Sequence, residues 1–143
     1  MKFLIAILLF LPPGSLRAQE ITLFGRDGKA VAYISEDRER TIYLWNGTAV
    51  ACLAPSGGDL DIWGLNGRHL GWLVRGTVYD GGGEAVGVTK AAATFFTEWE
   101  PHKEFKKAKP LPGLRRYAPY KPYWRTGWSD RPLAAFLADG LND

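Results

Sequence analysis

FGRDGKAVA stands at residues 24–32, and related stretches follow it: YLWNGTAVA at 43–51, WGLNGRHLG at 63–71 and YDGGGEAVG at 79–87. Each stretch begins with an aromatic residue, has a glycine four residues later, and ends with an aliphatic residue followed by Ala or Gly. The four glycines are 19, 20 and 16 residues apart. A motif repeated four times at this spacing predicts four copies of one small supersecondary unit.

The predicted unit is a β-hairpin. Each glycine closes a dipeptide that is typical of hairpin turns: Asp27-Gly28, Asn46-Gly47, Asn66-Gly67 and Gly82-Gly83. Such dipeptides favour two-residue type I′ loops, in which both central residues have φ > 0. A two-residue loop would pair Phe24 with Val31 and Leu23 with Ala32, and would do the same in the other hairpins. One face of every hairpin is then bulky and aromatic, and the other is aliphatic and small.

An isolated hairpin is only marginally stable in water, so these four must bury their faces together. Small residues at equivalent places allow close approach, and they are Ala32, Ala51, Gly71 and Gly87. The sequence therefore predicts a mostly β protein in which four β-hairpins form a radial or closed arrangement with pseudo-fourfold symmetry. The alternative layout is a plain eight-stranded meander barrel.

The N-terminal region, residues 1–18, is predicted to be a secretory signal peptide. Lys2 precedes an apolar run at residues 3–11, helix-breaking residues follow, and Ala18 offers a small residue for cleavage. The alternative is an uncleaved amphiphilic anchor. No later stretch is long and apolar enough for a membrane span. We expect an exported protein, periplasmic or secreted.

The remaining chain is predicted to be one domain: a four-hairpin region at residues 19–90 and a wrapping C-terminal segment at 91–143. Cys52 is the only cysteine, so an internal disulfide framework is excluded and Cys52 is interpreted as a buried apolar residue. The C-terminal segment is rich in aromatic residues and prolines, which disfavour a long helix or a central strand. We expect an extended, polyproline-like chain whose aromatic side chains cover the bulky faces of the hairpins.

A short helix is predicted at the C-terminal end of this segment. Ser129 would cap it, Pro132 would lie in its first turn, and Gly140 would end it. Its apolar face would consist of Leu133, Phe136 and Leu137.

Four repeated hairpin sequences followed by an aromatic-rich segment resemble the bacterial four-fold β-flower domain family. The resemblance rests on LFGRDGKAVAYI, YLWNGTAVACL, IWGLNGRHLGWL and VYDGGGEAVGVT, covers residues 21–90, and extends to about Leu137. It implies four β-hairpins around a pseudo-fourfold axis. It implies no catalytic residues and no cofactor, because the family carries no established activity.

Candidate catalytic groups are few. His69 replaces an alanine of the other repeats and is interpreted as an exposed residue beside a turn. A general acid or base formed with Asp59 or Asp61 is the alternative, and it would make the chain a small hydrolase. The sequence shows no spacing of His, Cys, Asp or Glu typical of a metal site. We expect no enzyme activity and no metal.

The C-terminal segment is also the strongest candidate for a binding surface. The chain has a net charge of +3, and residues 101–131 contain nine basic and two acidic residues. Basic residues interleaved with aromatic ones can bind anionic polymers. The candidate binding residues are Lys106, Lys107, Arg115, Arg116, Trp124, Trp128, His69 and Asp61. The alternative is that the aromatic rings cover the hairpins while the cationic groups extend into water.

Three functions remain open at this point. The first is an exported, non-enzymatic β-repeat module that binds or scaffolds an anionic envelope polymer or another envelope protein, and not nucleic acid. The second is a ligand-binding module with aromatic pockets for a glycan or a charged envelope component. The third is the small hydrolase. The first is favoured, because the fixed positions of the repeats are turn, contact and core residues and include no reactive group.

Overall fold

Eight antiparallel β-strands form a closed barrel in which each strand pairs with its neighbours in chain order and β8 pairs with β1. The structure, a computed structural model, describes residues 19–142. Its strands are β1 (Ile21–Phe24), β2 (Ala30–Ile34), β3 (Thr41–Leu44), β4 (Ala49–Ser56), β5 (Asp59–Gly64), β6 (His69–Val74), β7 (Thr77–Tyr79) and β8 (Ala85–Thr89). The prediction of four hairpins in a closed arrangement is confirmed, with the strand order of a meander. The predicted signal peptide, residues 1–18, lies outside the described residues.

The loops of the four repeated hairpins differ from the predicted type I′ turns. In the first hairpin, the N–H of Gly28 donates to the carbonyl of Gly25, and the N–H of Gly25 donates to the carbonyl of Lys29. Gly28 has φ of 80°, but the preceding Asp27 does not have positive φ. This is a three-residue loop in which a type I turn is followed by a left-handed glycine that forms a bulge.

The bulge changes the strand register next to each turn. Phe24 pairs with Ala30 rather than Val31, whereas Leu23 pairs with Ala32 as predicted. The same shift occurs in the other three hairpins. A type I′ turn is found elsewhere, between β6 and β7, where Arg75 and Gly76 have φ of 47° and 86°.

The aliphatic face of the hairpins lines the barrel interior, and the C-terminal helix closes one end. Helix α1 (Leu133–Ala138) contributes Leu133, Phe136 and Leu137 to the same hydrophobic core as the strands. Phe136 and Leu133 contact the backbone where Gly71 and Gly87 leave room, at 3.0 Å and 2.8 Å from where a Cβ would stand. The predicted close approach at Gly71 and Gly87 is thus made by the helix together with strand backbone, since the carbonyl oxygens of Tyr79 and Phe24 also lie there.

The ends of α1 differ from the prediction. Pro132 is the N-cap residue, and the hydroxyl of Ser129 instead accepts a hydrogen bond from the N–H of Arg131. The helix ends before Gly140, which is not in the left-handed conformation. A Cβ at Gly140 would overlap the carbonyl oxygen of Val50, so glycine is needed there for close packing.

The aromatic face of the hairpins points outward and is nevertheless buried. Phe24, Tyr33, Trp63 and Trp72 are all buried, as is Cys52. The chain that follows β8 and the 3₁₀ turn at Lys90–Ala92 covers this face. Among residues 19–142, the helices are too short or too polar to cross a membrane.

Candidate binding surface

Residues 94–129 form an extended segment, which we call the belt, that runs around the outside of the barrel and is attached at the end where the four bulged turns lie. Its backbone N–H groups donate hydrogen bonds of 2.8–2.9 Å to the carbonyl oxygens of the turn glycines. The donor–acceptor pairs are Glu98–Gly28, Lys107–Gly47, Arg116–Gly67 and Arg125–Gly83. Since these donors are nine residues apart, the belt consists of four nine-residue units, 94–102, 103–111, 112–120 and 121–129, each attached to one hairpin.

The turn glycines are required by this attachment as well as by the turn. Gly47 has φ of 91°, and a Cβ on it would overlap the carbonyl oxygen of Phe105 in the second unit. The other three turn glycines meet a belt carbonyl in the same way. Left-handed φ and close backbone approach are the two conditions that favour glycine, and both hold here.

The two ends of the belt meet. Trp128 forms a parallel bridge with Ala85 in β8, and its ring lies 5.8 Å from the ring of Phe95, measured between centroids. Phe95 belongs to the first unit and Trp128 to the last, so this contact completes the circuit around the barrel. Trp128, a predicted binding residue, therefore has a structural role.

The fourth residue of units two, three and four packs against the first aromatic residue of its own hairpin. The pairs are Lys106 over Tyr43 (5.2 Å from nitrogen to ring centroid), Arg115 over Trp63 (5.4 Å) and Trp124 on Tyr79 (4.7 Å between centroids). Cations above aromatic faces are stabilised by the ring quadrupole, and stacked rings gain dispersion. Three of the predicted binding residues are thus directed toward the barrel.

Belt lysines also form ion pairs with acidic residues at the opposite end of the barrel. Lys103 and Lys106 lie 2.7 Å and 2.9 Å from the carboxylate of Glu20. Partial burial works against ionisation of Glu20, but hydrogen bonds from the two lysines outweigh it and hold the pKa of Glu20 below its ordinary value. Desolvation works against the charged form of Lys106 as well, but the hydrogen bond and the charge of Glu20 outweigh it and raise the pKa of Lys106. These pairs fix the belt without leaving the lysines free for a ligand.

Two more lysines are paired in the same manner. Lys109 lies 2.9 Å from Glu39 and 3.6 Å from Asp37. Desolvation opposes ionisation of Asp37, but hydrogen bonds from Thr41 and the charge of Lys109 outweigh it and lower the pKa of Asp37. Lys121 lies 3.2 Å from Asp59, so Asp59 is ion-paired with the belt, whereas the carboxylate hydrogen-bonded to His69 is that of Asp61.

Most of the belt's own aromatic side chains, with the exception of Trp124 and Trp128, point away from the barrel, which contradicts the prediction that they cover the hairpins. The large apolar belt residues that are 75–95% exposed are Phe96, Trp99, Phe105, Leu111, Leu114, Tyr117, Tyr120 and Tyr123. The outer face of the barrel is covered instead by the belt backbone, by Lys103, Lys106 and Arg115, and by Trp124. The predicted arrangement of aromatic rings inward and cationic groups outward is therefore largely reversed.

Neighbouring basic residues of the belt point in opposite directions. Lys106 and Arg115 contact aromatic rings of the barrel although they are also exposed, whereas the next residues, Lys107 and Arg116, are exposed and make no such ring contact within residues 19–142. Within residues 19–142, neither Lys107 nor Arg116 forms an ion pair. Of the predicted cationic binding residues, these two have charges that remain available to a ligand.

His69 and Asp61 come together as the acid–base alternative requires, but beneath the belt. Nε2 of His69 lies 2.9 Å from Oδ1 of Asp61. The imidazole lies 4.9 Å from the ring of Trp63 and 4.7 Å from that of Trp72, measured between centroids. The side chain of His69 is 3% exposed, which contradicts its interpretation as an exposed turn residue. The bulge causes this, because it places His69 opposite Trp63 on the outer face of the barrel.

Cys52 and Arg115 complete the polar contacts of this region. A terminal nitrogen of Arg115 lies 3.7 Å from the sulfur of Cys52, while its guanidinium covers the ring of Trp63. The guanidinium therefore covers the buried thiol from the belt side. The outward surface of the belt is the part of this arrangement that is open to a partner.

A family model described as 4-fold beta flower protein matches residues 21–137, which include both the hairpins and the belt. The chain belongs to the 4-fold beta flower family. The suspected resemblance is confirmed, and the match extends into α1 as far as Leu137. No curated protein and no solved structure matches this β-flower chain.

A second repeat in this β-flower protein was missed in the sequence. Prolines recur nine residues apart at Pro101, Pro110 and Pro119, and the inward–outward pairs begin at Lys106, Arg115 and Trp124, also nine apart. This period equals the distance along the belt from one hairpin to the next. It could have predicted one unit for each hairpin.

Proposed function

We propose that this chain is an exported, non-enzymatic β-flower module that binds a component of the cell envelope through the outward surface of its belt. The observation that carries this proposal is the exposure of the belt's apolar side chains, whose rings point away from a barrel that they were expected to cover. Large exposed apolar areas in a folded protein are typical of interaction sites.

The rigidity of the belt supports a binding role. Each unit is hydrogen-bonded to a turn glycine, and belt lysines are ion-paired across the barrel. A backbone that is already fixed loses little conformational freedom on binding, which favours affinity. The belt thus acts as a scaffold for its outward residues.

The burial of His69 supports the absence of catalysis by the His69–Asp61 pair. A general base must come within hydrogen-bond distance of the substrate. The imidazole of His69 is enclosed by Trp63 and Trp72 and is hydrogen-bonded to Asp61. The pair is better interpreted as a buried polar contact that stabilises the third hairpin.

The test starts with cell fractionation, followed by binding of the protein recovered from the exported fraction to isolated envelopes. We expect wild-type protein to sediment with the envelopes. The triple variant Phe105→Ser, Leu114→Ser, Tyr123→Ser removes outward apolar groups at the same place in three units, so we expect it to remain largely in the supernatant. Recovery of the protein only in the cytoplasm, or equal sedimentation of the variant, would contradict the proposal.

The matched control concerns the His69–Asp61 pair. His69→Gln should leave envelope binding unchanged, because the side chain lies beneath the belt and does not reach its outward surface. A loss of binding in this variant, while its unfolding midpoint stays the same, would indicate that the function depends on the imidazole.

A further inference from the structure

We infer that the outward surface of the third belt unit, together with Leu111, is a docking site for an anionic lipid bilayer. This inference deepens the proposed function and rests on it, since it names the envelope component that the belt binds. We call residues 111–120 the docking face.

The docking face is the part of the belt with the most complete exposure. Every residue from 111 to 120 is exposed. Leu111 and Leu114 are each 94% exposed, and Tyr117 and Tyr120 follow along the same stretch. The transfer of aliphatic side chains out of water is favourable, and tyrosine is enriched where membrane and water meet.

The belt sequence on either side of the docking face carries charge of one sign. The stretch from residue 105 to residue 129 contains no Asp or Glu. Arg116 points outward within the docking face, and Lys107 lies outward one unit earlier. Basic groups beside inserted apolar ones are attracted to anionic headgroups by about 1 kcal/mol each.

The opposite side of the barrel has a different character. The first unit is attached to the turn of Gly28, two hairpins away from Gly67, which holds the third unit. Phe96 and Leu114 occupy the same place in their units, and both are exposed. The first unit, however, carries Glu98 and Glu100, so its charge disfavours an anionic surface. The molecule therefore has one side suited to the bilayer.

A bilayer fits these side chains better than a glycan does. Sugar rings stack on aromatic faces, and Leu111 and Leu114 offer none. The docking face lies on the convex outside of a closed barrel, which suits a broad surface and offers no groove for a polymer. Pro110, Pro112 and Pro119 restrict the backbone of this stretch, which lowers the entropy lost when it contacts a surface.

The experiment measures co-sedimentation of the purified exported protein with two kinds of lipid vesicle. One kind contains phosphatidylcholine alone, and the other contains equal parts of phosphatidylcholine and phosphatidylglycerol. We expect binding to the anionic vesicles that weakens as salt is added. Arg116→Gln should weaken that binding about fivefold. Leu111→Ser with Leu114→Ser should weaken it about tenfold or more.

The matched control is Phe96→Ser, which removes an equally placed apolar group on the acidic side and should leave vesicle binding unchanged. Equal binding to both kinds of vesicle, or an equal loss in Phe96→Ser and in the leucine variant, would overturn the docking face. So would belt-dependent binding to lipid-free cell-wall sacculi without vesicle binding, which leaves the proposed envelope function intact. A dimer in solution that the leucine variant dissociates, with vesicle binding unchanged, would indicate a second copy as the occupant and also overturn the inference.

Discussion

The backbone N–H of Lys107 donates a hydrogen bond of 2.9 Å to the carbonyl oxygen of Gly47, and the carbonyl of Phe105 packs against the same glycine. Gly47 therefore ends a type I turn, forms the bulge and accepts a hydrogen bond from the belt. Because the arrangement recurs every nine belt residues, hairpin and belt repeat together around the barrel.

Gly47→Ala should destabilise the fold. The left-handed conformation alone costs a residue with a Cβ about 1–2 kcal/mol, and the overlap with Phe105 requires the belt to move as well. We expect the free energy of unfolding in urea to fall by at least that amount. The control is Gly81→Ala in the fourth turn, where φ is not left-handed and no atom lies within 4 Å of the added Cβ. Equal stability of the two variants would contradict the role assigned to Gly47.

The variants Lys106→Met and Lys107→Met distinguish a lysine that contacts the barrel from a neighbouring lysine that faces outward. Methionine keeps most of the apolar stem and removes the charge. Lys106 contacts Tyr43 and Glu20, so we expect its replacement to lower the free energy of unfolding by about 1–2 kcal/mol. Lys107 is exposed, so its replacement should leave stability unchanged and weaken binding to anionic vesicles. The reverse result for the neighbouring pair would show that the belt has the opposite orientation.

The hairpins were predictable from the sequence because their pattern is local. The pair Leu23–Ala32, away from the turn, has the predicted register. The predicted pairing next to the turn, Phe24 with Val31, was wrong, because Asp-Gly and Asn-Gly suit both a two-residue loop and a three-residue loop with a bulge. Both loops place the glycine in the left-handed region. They differ in the number of loop residues and in the conformation of the residue before the glycine.

The orientation of the belt could not be predicted from hydrophobicity. Burial of aromatic side chains is the usual expectation, but the outer rings of the barrel present faces that attract cations. Lys106 reaches both such a ring and the carboxylate of Glu20 at the far end of the barrel. The contact with Glu20 joins residues 86 positions apart, and no local sequence pattern predicts it. The nine-residue period was readable, whereas the direction of each side chain required the assembled barrel.

The His69–Asp61 hydrogen bond should appear as a coupling in a double-mutant cycle. Removing either partner leaves a polar group without its hydrogen bond in a largely buried place, which costs about 1–3 kcal/mol. His69→Ala and Asp61→Ala should each destabilise, and the double variant should lose less than the sum, with a coupling of about 0.5–3 kcal/mol.

Urea unfolding of the two single variants and the double variant measures this coupling. His102→Ala is the control, because His102 is exposed and its removal should not change stability. Additive losses at His69 and Asp61 would mean that the hydrogen bond contributes nothing to the third hairpin.

Acid should weaken the attachment of the belt. The folded-state pKa of Glu20 lies below its ordinary value of 4.5, and that of Asp37 lies below 3.8. Below those ordinary values the unfolded chain binds protons that the folded chain does not yet bind, so stability rises with pH in that range. The contribution is complete above pH 4.5 and is lost as pH falls through 4.5 and 3.8 toward the folded-state values.

The urea midpoint measured from neutral to acidic pH tests this dependence. Glu20→Gln with Asp37→Asn should make the urea midpoint depend less on pH in the acidic range, because neither amide titrates there. Some slope should remain, since Asp139 also has a lowered pKa, caused by its hydrogen bond from Arg131. Glu98→Gln is the control, because Glu98 is exposed and forms no ion pair within residues 19–142. An equally steep fall of the urea midpoint with acid in the double variant and in wild type would show that these carboxylates do not hold the belt in place.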